Sequence, residues 1–189
     1  NDILTRFFEN GIMKRKNVSP SYSPSMDIQA SSNFERLLYE INNRDTNLVK
    51  KQMNEFKVYG NFQITQGQLN KINNLFTAFK ISDSDTLNII KETYINHKYI
   101  LDPHSAIGYG AVQKAIEQKI VSNNSPIISL ACAHPAKFPQ VIKKSIGLIP
   151  EFPFHLGQIM SRKENFKTIE PNLEDIQEYI IKSMRMLWV

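Results

Sequence analysis

A chain of 189 residues with 41% hydrophobic content can bury the core of one ordinary domain, which argues against disorder. Its single cysteine excludes an intrachain disulfide, and no apolar run approaches the ~20 residues needed to span a bilayer, so the composition reads as soluble and cytoplasmic. The net charge of +5 invites a nucleic-acid role, yet beyond Lys14-Arg15-Lys16, Lys50-Lys51 and Lys143-Lys144 the charges mostly alternate in sign, as on solvated helices. Neither a nucleic-acid nor a membrane partner is expected. The opening Asn1, with no methionine, signal peptide or basic leader, suggests a fragment or a processed form.

Along the chain, Ile3, Leu4, Phe7 and Phe8 form a helical stripe that Gly11 is suited to stop. Residues 17–31, with Ser19-Pro20 and Ser23-Pro24-Ser25, predict an extended loop or edge segment. Ser32 and Glu35 have capping-box spacing ahead of a helix carrying Phe34, Leu37, Leu38 and Ile41. Residues 45–56 predict a helix, 57–64 a short strand around Gly60, and 68–79 a further helix. Ser82 and Asp85 repeat the capping pattern before a helix with Leu87, Ile90 and Tyr94 on one side.

Asp102-Pro103 places a cap residue before proline at the first helical position, and the small residues Ala106, Gly108, Gly110, Ala111 and Ala115 predict a helix packed very close to a neighbour. Ile127–Ala131 predicts a buried strand running through Cys132-Ala133-His134 into a helix from Pro135 to about Ile146. Asn172 with Asp175 starts a last helix through Leu173, Ile176, Ile180 and Met184.

Ligands of open α/β sheets bind beyond strand carboxyl ends, where helix N-termini present unpaired N–H groups. Cys132 to Lys137 occupies such a position, and Asp102-Pro103-His104-Ser105 opens another helix; if the two starts share a crevice, His104, His134, Lys137 and Cys132 would ring an anion site. Blander readings compete: a lone cysteine is more often a small buried hydrophobe, and a lysine here a surface residue. No two histidines have ligand spacing and Cys132 has no companion, so no metal site is expected.

The segment Leu130-Ala131-Cys132-Ala133-His134-Pro135-Ala136-Lys137-Phe138 is similar to the Thr-Ala-His-Pro-Ala-Lys-Phe signature of threonine synthases. Asn1-Asp2 with Arg6-Phe7, then Ser23-Pro24-Ser25-Met26-Asp27-Ile28, Ser31-Ser32-Asn33-Phe34-Glu35-Arg36-Leu37-Leu38 and Leu101-Asp102-Pro103-His104-Ser105-Ala106 resemble the same family in the same order. The resemblance covers nearly the whole chain and weakens over residues 43–80 and after 148.

It implies an α/β fold, the C-terminal part of a fold-type-II pyridoxal-phosphate domain, mostly helical with few strands. A helical insertion is expected at about 43–98 and a helical extension at about 148–189. The implied reaction is the pyridoxal-phosphate-dependent conversion of O-phosphohomoserine and water into threonine and phosphate. In the family, the Schiff-base lysine and the glycine-rich phosphate loop precede the Asn-Asp block. None of this chain's lysines sits in that motif and its seven glycines are scattered, so the chain is expected to be inactive alone, to hold no catalytic lysine, and to associate with a missing N-terminal segment or with itself. The alternative is an interaction module of the same ancestry that has lost catalysis.

The resemblance puts Cys132 where the family has a threonine hydrogen-bonded to the pyridine nitrogen, a role a thiol fills as a weaker donor. It places Asp102 and His104 at the cofactor, and His134, Lys137, Asn1, Asp2, Arg6, Ser25 and Asp27 along the active-site lining. Arg6 or Lys137 would supply a cation for the substrate phosphate.

Overall fold

The computed structural model describes residues 1–122 and 124–186, and the chain divides after Glu151 into two compact units. The last three residues of the expected extension therefore lie outside the described residues.

The first unit begins with α1 (Ile3–Asn10), which buries Ile3 and Phe7 and closes on Gly11 in the left-handed region, φ 73°, with the Gly11 N–H on the Phe7 carbonyl at 2.7 Å. A Cβ at Gly11 would also stand 3.2 Å from Ile64 Cγ1, so conformation and space both ask for glycine. The strand β1 (Ile12–Lys14) follows directly and pairs antiparallel with β2 (Asn61–Gln63), Met13 opposite Phe62 and both buried. The residues before β2 form α3 (Thr46–Tyr59), capped by the Asp45 carboxylate and stopped by Gly60 at φ 72°. The strand expected over 57–64 is confined to Asn61–Gln63, since α3 runs on to Tyr59 before Gly60 stops it, and β1 is not anticipated by the sequence.

Phe7, Phe56 and Phe62 meet Phe34, just before α2 (Glu35–Ile41), Leu38 of α2 and Ile72 of α4 (Gln66–Asn73) in one core. Phe7 and Phe34 meet edge-on, ring centroids 5.0 Å apart, a geometry that contributes about 0.5–1.5 kcal/mol beyond area burial. Two expectations fail here. Ser32 does not cap α2: residues Ser32–Phe34 form a 3-10 turn, and the Glu35 N–H is met by the backbone carbonyls of Ser32 and Asn33 instead. The helix expected over 68–79 ends at Asn73, among consecutive asparagines of low helix propensity; Asn73 donates to the distant Phe8 carbonyl at 3.3 Å, and the N–H groups of Leu75 and Phe76 both fold back onto Ile72. A capping box is present, but at Thr65 and Gln68.

A second core joins α5 (Asp83–His97), α6 (Pro103–Glu117) and α7 (Pro139–Ile146) through Ile89, Ile90, Ala106 and Ile142. Ser82 caps α5 by accepting the Asp85 N–H at 3.1 Å, as its spacing predicts. The small residues of α6 have their reason at Gly110, where a Cβ would lie 2.5 Å from Ile89 Cδ1 and 3.1 Å from Ile81 Cδ1. Between α6 and α7 the expected buried strand is absent: residues 126–132 have no regular secondary structure and no ladder partner among the described residues, and Ile128 and Leu130 are 85% and 74% exposed. Their apolar composition suits a strand covered on both faces, but among the described residues nothing covers them. The helix expected from Pro135 is split into a 3-10 turn, Pro135–Lys137, and α7, because Pro139 restarts it.

The second unit carries 3-10 turns at Phe154–Leu156 and Ile159–Ser161 and the helix α8 (Leu173–Met186). The Asn172 side chain accepts the Asp175 N–H at 2.9 Å and donates to its carboxylate at 2.8 Å, as the spacing of the two residues predicts. Among the described residues no helix is long and apolar enough to cross a membrane.

Candidate functional site

Asp102 precedes α6 and is 1% exposed, yet every direction of its carboxylate is answered. One oxygen accepts the His104 N–H at 2.9 Å and faces His104 Nδ1 at 3.0 Å; the other accepts the Ser105 hydroxyl in a very short hydrogen bond. A carboxylate acceptor on Nδ1 assigns the ring proton there, which leaves Nε2 as an acceptor, and the Ser25 N–H donates to it at 3.2 Å. His104 is thus saturated within the protein, with the Phe138 ring 4.9 Å from its own. It holds the Pro24–Met26 turn in place rather than pointing into a crevice.

Ser105 Oγ in turn accepts the Cys132 N–H at 3.1 Å. The Cys132 side chain is exposed, its sulfur 3.6 Å from the Leu130 carbonyl. The Cys132 backbone thus lies against the Asp102–Ser105 turn, while its thiol is carried on an exposed loop. Two residues on, His134 caps its own turn by accepting the Ala136 N–H on Nδ1 at 3.2 Å. Both His134 and Lys137 are exposed. The anticipated ring of His104, His134, Lys137 and Cys132 does not form, because His104 is buried on the other side of Asp102.

The remaining expected residues gather on the opposite side. Asn1, Asp2, Ser25 and Asp27, with Lys80 and Ile107, line a groove of about 770 Å³. Asn1 donates to Asp27 at 2.5 Å and accepts the Ser19 N–H at 2.9 Å; Asp27 also accepts the Ser21 N–H at 2.8 Å. Asp2 receives Arg6 Nε at 2.9 Å and Lys80 Nζ at 3.2 Å. The hydrogen bond from Arg6 outweighs partial burial, and with help from Lys80 holds the Asp2 carboxyl at about 2, well below the usual carboxylate range. The rest of the Arg6 fork grips the Lys14 carbonyl, both nitrogens at 3.1 Å. Arg6 is committed to structure and lies outside the groove lining. Ser25 joins the two sides, since its backbone reaches His104 and it lines the groove.

Three contributors escape the sequence reading. Ser105 stood inside the Asp-Pro-His-Ser block, and its hydroxyl, three residues after a cap aspartate, was the signal available. Phe138 ends the signature that opens at Leu130, but its packing on His104 is not legible there, and Lys80 gives no signal, because their partners His104 and Asp2 are distant in sequence.

This fold is shared with solved enzymes. A pyridoxal-phosphate-bound threonine synthase from Brucella melitensis is 40% identical with a TM-score of 0.78, covering 94% of this chain and 37% of that one. The yeast threonine synthase is 30% identical with a TM-score of 0.76, covering 98% of this chain and 40% of its own. The family described as threonine synthase, C-terminal, matches residues 105–180. A threonine synthase of Pseudomonas aeruginosa is 35% identical over 95% of this chain and 38% of its own length, and that of Saccharomyces cerevisiae 34% over 94% and 37%. In sequence and in fold alike, the chain matches the C-terminal portion of threonine synthases. It spans little more than a third of the length of these relatives.

Proposed function

We propose that this chain forms one wall of the active site of a threonine synthase, in which O-phosphohomoserine and water become threonine and phosphate on a pyridoxal-phosphate cofactor. The observation that carries the reading is the exposed Cys132 thiol on a backbone amide bonded to Ser105 at 3.1 Å, directly beside the buried Asp102.

The donor set fits the cofactor's ring nitrogen. A thiol is a neutral, weak donor, and its one contact within the chain, 3.6 Å from a carbonyl, is long enough to be given up. When bound, the cofactor supplies an electron sink that lets protons leave successive substrate carbons and phosphate depart. The residues of this chain would orient and hold. Cys132 would hold the ring nitrogen; Asp102 and His104 would act behind it, Asp102 through Ser105 on the Cys132 backbone and His104 on the Ser25 backbone. With Arg6 engaged by Asp2 and Lys14, Lys137 is the better candidate for the substrate phosphate, with His134 beside it as an orienting donor. Asn1, Asp2, Ser25 and Asp27 would face the cofactor from the groove side.

The Schiff-base lysine and the phosphate-cradling loop would come from polypeptide that precedes the Asn1-Asp2 block, with self-association as a further way to cover the exposed 126–132 segment. Within the enzyme, residues 43–98 would be a helical insertion and 148–189 a C-terminal extension, working in the cytoplasm. The test compares the full-length protein with the isolated 189-residue chain, each supplied with pyridoxal phosphate and O-phosphohomoserine. Stoichiometric threonine and phosphate are expected from the first and none from the second. Turnover by the isolated chain, or a cofactor-loaded full-length protein that releases no phosphate, would sink the reading.

A further inference from the structure

Ser105 is 3% exposed and has one hydroxyl hydrogen, which is spent on the Asp102 carboxylate. Its oxygen can therefore only accept from the Cys132 N–H, and the order of donors is fixed: Cys132 N–H to Ser105 O–H to Asp102. An acceptor that is itself donating to a buried carboxylate is polarised, so this bond is stronger than an ordinary one from serine. Among the described residues no other hydrogen bond joins residues 126–133 to the rest of the chain. Contact without bonding is added at Gly108, where a Cβ would stand 3.2 Å from Ser129 Oγ. A mirror arm leaves the same carboxylate: Ser25 N–H to His104 Nε2, and Nδ1–H to Asp102.

We propose that Ser105 is the positioning residue of Cys132, the arm by which the Asp102 carboxylate fixes the backbone that carries the thiol, independently of the His104 arm that fixes Ser25. That this sets the approach of the thiol to a cofactor nitrogen rests on the function proposed above; the positioning does not. The two arms share one carboxylate but hold different segments, so removing the Ser105 hydroxyl should loosen one and spare the other.

The experiment is hydrogen exchange by mass spectrometry on the full-length protein, following peptides over 23–28, 126–134, α5 and α7 in wild type, Ser105→Ala and Ser105→Thr. Neither cofactor nor turnover is needed, so failure of the enzymatic reading would leave this result interpretable. In Ser105→Ala, exchange over 126–134 should rise tenfold or more, with 23–28 and both helices unchanged, and Ser105→Thr should return it towards the wild-type rate. Unchanged exchange over 126–134 in Ser105→Ala would overturn the proposal. So would protection lost equally in α5 and α7, which would make Ser105 a general stability residue, or an equal loss in Ser105→Thr, which retains the hydroxyl.

Discussion

Asn1, Asp2, Arg6 and Asp27 are tied to one another, to Lys80 and to main-chain groups of Lys14, Ser19 and Ser21, so the groove side of the site is assembled by this chain alone. Residues 126–133, by contrast, are joined to the rest of the described residues by a single hydrogen bond to Ser105, with Ile128 and Leu130 standing in solvent. One side is anchored to a phenylalanine core that needs nothing further. The other carries a thiol, an imidazole and an ammonium after an apolar run whose Ile128 and Leu130 have no cover among the described residues. A site built from one finished and one open wall has its geometry set in part by whatever completes the second, and this is the physical ground for expecting the chain to work only within a larger assembly.

The contrast breaks most readily at its strong end. Phe7 is fully buried among Phe34, Phe62 and the aliphatic residues of α2 and α4, so Phe7→Ala leaves a cavity that rigid aromatic neighbours cannot collapse around. The expected loss is roughly 3–5 kcal/mol, read as a lowered urea midpoint with an unchanged slope. A loss under about 1 kcal/mol would mean that the groove side is no better packed than the exposed segment.

A smaller effect comes from Asp2. Its folded-state pKa is held at about 2, below the ordinary aspartate range, so the carboxylate adds stability that is fully present above the unfolded pKa and is lost as pH falls from about 4 towards 2. With the side chain 26% exposed, the contribution is on the order of 1–2 kcal/mol. Asp2→Asn should remove that part of the acid dependence and leave the rest of the profile unchanged. An identical pH–stability slope in the variant would show that Arg6 and Lys80 hold Asp2 without net gain.

How far the sequence discloses this arrangement follows from the range of each interaction. Helix ends set by local chemistry are legible: Gly11 after α1, Ser82 before α5, Asp102-Pro103 before α6 and Asn172 before α8 all act within a few residues. The crowding of small residues on α6 likewise forecasts the close approach at Gly110. Apart from the Ser32 cap and the end of α4, what fails is what depends on distant partners. Ile127–Ala131 has the composition of a covered strand, but a strand exists only with its neighbours. Arg6 is chemically suited to a phosphate, yet Asp2 and Lys14 occupy it, and no pattern in the sequence marks that pairing as different from a free arginine. The family blocks bring Asp102, His104, Cys132 and His134 to notice, while the division between exposed and buried members of those blocks depends on the fold.

The smallest effect is the most informative about the open wall. In the 189-residue chain, Leu130→Ser removes a side chain that is 74% exposed and already in water, so stability should change by no more than about 0.5 kcal/mol. In a full-length enzyme that covers residues 126–132, the same substitution buries a hydroxyl in place of a leucyl side chain, and a loss of roughly 2–4 kcal/mol is expected. The informative quantity is the difference between these two losses, because it measures the burial supplied from outside this chain without reference to catalysis. Equal and negligible losses in both would mean that the segment stays exposed in the complete protein, and the apolar run before Cys132 would then need another explanation than strand pairing.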